Sequence, residues 1–214
     1  MDALGMVEVY SFTTAVCAAD IAAKAADVKV IAFDRTRPGS EAVPAPLVMQ
    51  VKLEGDNASV KASVESASAF AKQEGMYIAS HVISRPGDGT EKMAYLLDMN
   101  RDKYNKKLPK TFYGNDTPAP NVDFAIGLLE VSGLVASVAG LDAMLKAANV
   151  RLIHTEKRLG GRLVTLIIKG NVSAVQAAVD AGVQEASPLG KVHGKAVIAN
   201  PHGEVMKFFD YDVD

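Results

Sequence analysis

The 214-residue chain has one cysteine, no tryptophan and only 6% aromatic residues. Cys17 alone can form neither an intramolecular disulfide nor a cysteine zinc cluster. Long hydrophobic runs are missing too. The longest uncharged stretches, residues 9–19 and 131–141, are 11 residues each, well short of the roughly 20 that a membrane helix needs. An excess of one charge is also absent: 23 Lys and Arg against 25 Asp and Glu give a net charge of −2, so there is no global basic footprint for nucleic acid. The opening MDALGMVEVY has no basic segment and carries Glu8, unlike a secretory signal. A soluble, cytoplasmic protein is expected. At 49% hydrophobic and 22% charged residues, the composition is that of a folded chain, sufficient for one large domain or two small ones.

What the chain does have is a repeat. Residues 3–31, ALGMVEVYSFTTAVCAADIAAKAADVKVI, and residues 125–153, AIGLLEVSGLVASVAGLDAMLKAANVRLI, agree at 11 of 29 positions at a constant offset of 122. Chance would give about two. Glu8/Glu130, Asp20/Asp142 and Lys24/Lys146 are among the identities, and most mismatches exchange one apolar residue for another. The match resumes at an offset of 115–116, aligning Leu47 with Leu163, Gly55 with Gly170, Val60 with Val175 and HVISRP (81–86) with AVIANP (196–201). The first copy therefore carries about six extra residues, in the Pro- and Gly-rich stretch that includes Pro44 and Pro46, where loops tolerate insertion.

Each copy has the same predicted order. A strand (4–9; 126–131) precedes an alanine-rich helix (14–26; 136–148), then two strands (28–33 and 47–53; 150–155 and 163–169). A second helix opens at Asp56-Asn57 or at Asn171, residues suited to N-caps. Its apolar face is Val60, Val64, Ala67 and Ala71 in copy one, ended by Gly75, and Val172, Val175, Val179 and Val183 in copy two. A fourth strand (78–84; 195–200) completes a β-α-β-β-α-β unit, the ferredoxin-like α+β arrangement. The expected domains are 1–87 and 122–214. Between them, residues 88–121 read as a linker with a short helix in TEKMAYLLDMN and a proline-rich end, TPAPN. The cluster Arg101, Lys103, Lys106, Lys107 and Lys110 reads as part of a solvated linker, because no stacking platform accompanies it.

No catalytic constellation is legible. His81, His154, His193 and His202 have no ligand spacing, and KRLGGR (157–162) matches no phosphate-binding loop. His202, after Asn200-Pro201, reads as a turn or helix start, and Cys17, set among alanines, reads as a buried small hydrophobe. Glu8 and Glu130 recur inside apolar strands. Paired acid–base chemistry is one use for them, and a structural hydrogen bond at a sheet edge or interface is the other.

The opening A-[LI]-G-[ML]-[VL]-E-V, the helix end D-x-x-x-K-A-A-[DN]-V, the glycine-containing loop after the second strand and the closing VI-x-[RN]-P together resemble the shell proteins of bacterial microcompartments. The resemblance spans both copies, in unpermuted strand order. It implies two tandem ferredoxin-like microcompartment domains and a non-enzymatic homotrimer that imitates a hexagonal tile. Such a tile would meet other shell proteins at its edges and pass small metabolites through a central pore, inside a microcompartment in the cytoplasm. The resemblance places Lys24 and Lys146 on the tile edge, with Asp20 and Asp142 one helical turn earlier; an ordinary surface ion pair is the alternative use. Arg85 matches the second edge residue. Asn200, followed by His202, replaces it in copy two.

The implied pore loops are Thr36, Arg37, Pro38, Gly39 and Ser40, and Arg158, Leu159, Gly160, Gly161 and Arg162. Some tandem members hold an iron–sulfur cluster through a cysteine in this loop. Arg37 stands there instead, so no cluster, cofactor or metal is expected. Charges in residues 34–41 cancel, whereas residues 156–162 carry +2, or +6 around a threefold axis. A ring of that sign favours anions; the arginines can equally turn away and pair with Glu41 or Glu156. A metabolite-binding regulatory protein with tandem ferredoxin-like domains is the alternative function.

Overall fold

The computed structural model describes residues 2–39, 42–90, 94, 99, 122–157, 159–160 and 162–209. The chain divides into two compact units, Met1–Tyr10 with Thr14–Pro120, and Ser11–Thr13 with Asn121–Asp214. The first copy contributes β1 (Ala3–Tyr10), α1 (Phe12–Ala25), β2 (Lys29–Thr36), β3 (Val48–Gly55), α2 (Asn57–Gln73) and β4 (Tyr77–Ile83). The second contributes β5 (Ala125–Ser132), α3 (Leu134–Ala147), β6 (Arg151–Glu156), β7 (Leu163–Gly170), α4 (Val172–Ala186), β8 (Val192–Ile198) and the single turn α5 (Gly203–Met206). The sheet orders are β2-β3-β1-β4 and β6-β7-β5-β8, with every pairing antiparallel. This is the expected β-α-β-β-α-β unit, made twice.

Duplication extends to irregularities of the backbone. The β1–β4 register shifts between Glu8 and Val9, and the β5–β8 register shifts between Glu130 and Val131. The β2–β3 and β6–β7 ladders shift at Val30/Ala32 and Leu152/His154, again matched positions. Bulges of this kind re-aim side chains, and two of the four flank the repeated glutamates. Both first helices begin two residues earlier than their sequence pattern suggests. The chain turns abruptly after each first strand, through Ser11 at φ 73° and Gly133 at φ 103°, so helix follows strand at once.

Helix ends follow from their capping groups. The Asp56 carboxylate accepts from the N–H groups of Ala58 and Ser59, and Asn171 Oδ1 accepts from the Ala174 N–H at 2.8 Å. Gly75, at φ 69°, stops α2. Its N–H donates to the Lys72 carbonyl, and the Met76 N–H donates to the Ala71 carbonyl, the paired bonds of a Schellman end.

The expected face of α2 is buried: Val60, Val64, Ala67 and Ala71 are all 6% exposed or less. That of α4 differs from expectation. Val175 and Val179 are buried, but Val172 is 49% exposed, and the packed stripe runs on through Ala178, Gly182 and Ala186. Val172 is the first residue of α4, one turn before the buried stripe begins at Val175. Most of the expected linker, 88–121, lies outside the described residues. Ala94 and Met99, within the expected short helix, are buried, and the Met99 N–H donates to the Phe33 carbonyl at 3.0 Å.

Replacing the capping Asn171 with Ala leaves the Ala174 N–H at the start of α4 without its side-chain acceptor. A loss of about 1 kcal/mol of stability is expected, read from urea unfolding followed by circular dichroism. An unchanged midpoint would contradict the capping role.

Candidate functional site

The helix-end pairs form as i,i+4 geometry requires. Lys24 Nζ lies 2.5 Å from Asp20 Oδ2 on α1, and Lys146 Nζ lies 2.6 Å from Asp142 Oδ2 on α3. The two pairs differ in setting. The Asp20 side chain is 5% exposed, whereas that of Asp142 is 60% exposed. Arg85 and Asn200, at matched positions after β4 and β8, are both exposed. His202 is the N-cap of α5, its Nδ1 accepting from the Glu204 N–H at 3.2 Å, as its reading as a helix start suggested.

The candidate pore loops follow β2 and β6. Arg37 and Gly39 are exposed, and Thr36 and Pro38 are half-buried. Ser40, Arg158 and Gly161 lie outside the described residues, as does Glu41. Leu159 departs from the expected loop lining: at 2% exposure its apolar side chain is packed into the second unit and does not face solvent. Arg162 sits at φ 66°, its carbonyl accepting from the Gly133 N–H at 2.9 Å and its guanidinium lying against Gly133. An open hollow of about 340 Å³ beside it is lined by Leu134, Val135, Lys157, Gly160 and Arg162.

Not all charges counted for these loops belong to them. Asp34, 4% exposed, is ion-paired with buried Lys52, whose ammonium also donates to the Ala94 carbonyl at 2.8 Å. Glu156 is 2% exposed, with His154 Nε2 at 3.6 Å. Both carboxylates face inward, while Arg37, Lys157 and Arg162 are exposed. The buried Lys52 pair was missed in the sequence because lysine in an apolar strand normally marks a solvated position, and its partner lies on the neighbouring strand.

Of the two repeated glutamates, Glu130 is fully buried and Glu8 only partly so. In the second unit, Glu130 Oε2 accepts from Ser11 Oγ and from the Thr13 N–H, each at 2.8 Å. Its other oxygen has no partner among the described residues. Burial pushes the Glu130 carboxyl above its ordinary value, against the lowering effect of those two donors. The glutamate thus serves a structural hydrogen bond. Its partners, more than a hundred residues away, carried no signal in the sequence. Burial also pushes the Cys17 thiol up to about 12, with Asp20 adding to the shift, which leaves it unreactive. Among the described residues, no group of three or more His, Cys, Asp or Glu side chains is placed to hold a metal ion, and no helix is long and apolar enough to cross a membrane.

Comparison with known proteins meets this geometry at both copies. The BMC domain matches twice, over residues 3–86 and 125–201. The chain belongs to the bacterial microcompartment shell protein family. It carries two BMC domains in tandem. The carboxysome assembly protein CcmO of Synechococcus sp. is 33% identical over 204 residues, covering 95% of this chain and 67% of CcmO. The shell protein PduA of Citrobacter freundii is 47% identical over 83 residues, covering 39% of this chain and 88% of PduA. EutM of Escherichia coli, also a shell protein, is 42% identical over 85 residues, covering 40% of this chain and 87% of EutM. A crystal structure of a microcompartment protein from Desulfitobacterium hafniense is 24% identical, covers 97% of this chain and 99% of its own, and has a TM-score of 0.38.

Because Glu130 keeps its proton to higher pH when folded than when unfolded, the folded BMC domain binds more protons above the ordinary carboxylate value. Stability therefore falls as pH rises through that window. In Glu130→Gln the slope disappears. Urea midpoints measured from about pH 4 upward should decline more steeply in the wild type than in the variant, and parallel declines would contradict the assignment.

Proposed function

We propose that the chain is a shell tile: a homotrimer whose three pairs of BMC domains form a pseudohexagonal ring around a central pore. The observation that carries this reading is the repetition itself. Two copies of one fold share strand order, bulge positions and the Asp–Lys pairs near the ends of α1 and α3, and repeated surfaces of this kind close by symmetry. The names of the relatives support the same role, since PduA and EutM are shell proteins and CcmO is a carboxysome assembly protein. The tile is non-enzymatic, acts in a microcompartment in the bacterial cytoplasm, and meets other shell proteins along edges formed by Lys24, Lys146, Arg85, Asn200 and their neighbours.

The loops after β2 and β6 line the pore in this reading, and the pore favours small anionic metabolites. With Asp34 held inside by Lys52 and Glu156 buried, the exposed charges described in these loops are cationic. Arg162 leans toward Gly133 in its own unit, so among the described residues Arg37 and Lys157 carry the field at the opening. Oriented cations at a constriction raise the local concentration of anions.

Sedimentation of the purified chain should give the mass of three copies, and low-salt negative stain should show hexagonal layers. Lys146→Ala should disrupt layers while leaving the trimer intact, because an exposed pair contributes only about 0–1 kcal/mol to the fold. At Lys24, where Asp20 is buried, the milder Lys24→Met/Asp20→Asn double substitution should do the same without stranding a buried charge. A discrete species that never tiles and binds a small effector would instead establish the regulatory reading. Replacing both Arg37 and Arg158 with Gln should lower anion passage through reconstituted layers several-fold, as loss of a cationic ring requires. Unchanged passage would remove the pore-charge assignment.

A further inference from the structure

Resting on the trimeric reading above, we infer that Glu8 of one copy docks onto the first turn of α3 of a second copy, joining the chains head to tail. The molecule already makes such a contact once. In the second unit, Glu130 on β5 stands opposite Gly194 on β8, and its carboxylate receives Ser11 Oγ and the Thr13 N–H. The helix start sits so close that a methyl on Gly194 would be 2.8 Å from Thr13 Cβ. Ser11, Phe12 and Thr13 are accordingly buried, at 0%, 3% and 4% exposure. Phe12 also meets Phe209 edge to face at 6.5 Å.

Both halves of that contact have repeat counterparts, and both are unused. Glu8 on β1 stands opposite Ala79 on β4. Glu8 is partly exposed and Ala79 exposed, and no donor to the Glu8 carboxylate is seen among the described residues. The counterparts of Ser11, Phe12 and Thr13 are Gly133, Leu134 and Val135. Gly133 supplies no side-chain cap to α3, so the first N–H groups of the helix keep their donors available. Leu134 and Val135 are 71% and 72% exposed, and Val138, one turn on, is 61% exposed. Its counterpart in α1, Val16, is fully buried. An uncapped helix start ringed by apolar side chains is complementary to a carboxylate on a partly apolar sheet edge.

A second copy of this chain is the occupant that fits both halves. Each copy offers one acceptor face, Glu8 with Ala79, and one donor face, the start of α3. One chain's donor face meets the next chain's acceptor face, a heterologous contact that ends only when the ring closes. The two contacts are not identical. Gly133 lacks the Ser11 hydroxyl, and Ala79 carries a methyl where Gly194 leaves no room for one, so the joint between chains is wider there and relies more on backbone N–H donors and on Leu134, Val135 and Val138.

The counterpart of the Thr13–Gly194 approach is Val135 against Ala79, and that approach widened to admit the Ala79 methyl brings the two Cβ atoms within the roughly 3.5–4.5 Å that a disulfide spans. A chain carrying Ala79→Cys and Val135→Cys should, on mild oxidation, give covalent dimers and trimers on a non-reducing gel, whereas either single variant should not. The native Cys17, buried and held protonated, does not compete. Glu8→Ala should weaken trimer association by about tenfold or more, with far-UV circular dichroism and the unfolding midpoint unchanged. A trimeric wild type whose Ala79→Cys/Val135→Cys variant yields no cross-link, together with a Glu8→Ala trimer as tight as the wild type, would overturn the docking assignment and leave the trimer standing. A wild-type monomer at high concentration would overturn both.

Discussion

A carboxylate placed inside a sheet to receive the start of a helix is the interaction on which the second unit depends. Glu130 is desolvated completely, which is costly for an ionised group. It is retained because a serine hydroxyl and a backbone N–H point at one of its oxygens. The bulge after Glu130 turns the strand at that point, and the left-handed Ser11 turn brings the donors into place. Residues 11–13 consequently pack as part of the second unit although they are sequentially part of the first copy. Duplication gave the first copy the same strand, bulge and glutamate, but with a half-exposed environment.

Charge is sorted by the same fold into inside and outside. Acidic groups at the ends of β2 and β6 turn inward, where Lys52 and His154 face them, while basic groups stay on the loops. A count from the linear sequence sees the charges of residues 34–41 as cancelling and those of 156–162 as only +2, because it cannot distinguish a side chain on the inner face of a strand from its neighbour on the loop. The alternation of a strand makes that distinction with a single residue step. Among the described residues of the two loops, the exposed charges are consequently more basic than the composition suggests.

Much of the architecture was legible because it was written twice. Repetition of Glu, Asp and Lys at one offset, together with apolar periodicity, specified the strands, helices and N-caps at Asp56 and Asn171. Boundaries were less legible where a turn overrode pattern: Ser11 and Gly133 start their helices early, and β8 begins at Val192, ahead of its apolar run. The i,i+4 pairs at the helix ends follow directly from spacing. The burial of Leu159, the inward Lys52–Asp34 pair and the exposure of Val172 and Leu134 do not, since each depends on what lies across the sheet or on nothing lying there at all. Glu130 was identifiable as unusual from its place in an apolar strand, but its donors were brought to it only by the fold.

On the proposed reading, three of these chains close into one six-domain tile. A cryo-electron microscopy map of the purified assembly tests it most directly. The account predicts three chains around one axis, the loops after β2 and β6 facing the opening, and Glu8 of each chain against the start of α3 in the next. A map showing a different number of chains, or Leu134 and Val135 left facing solvent within a closed ring, would contradict it.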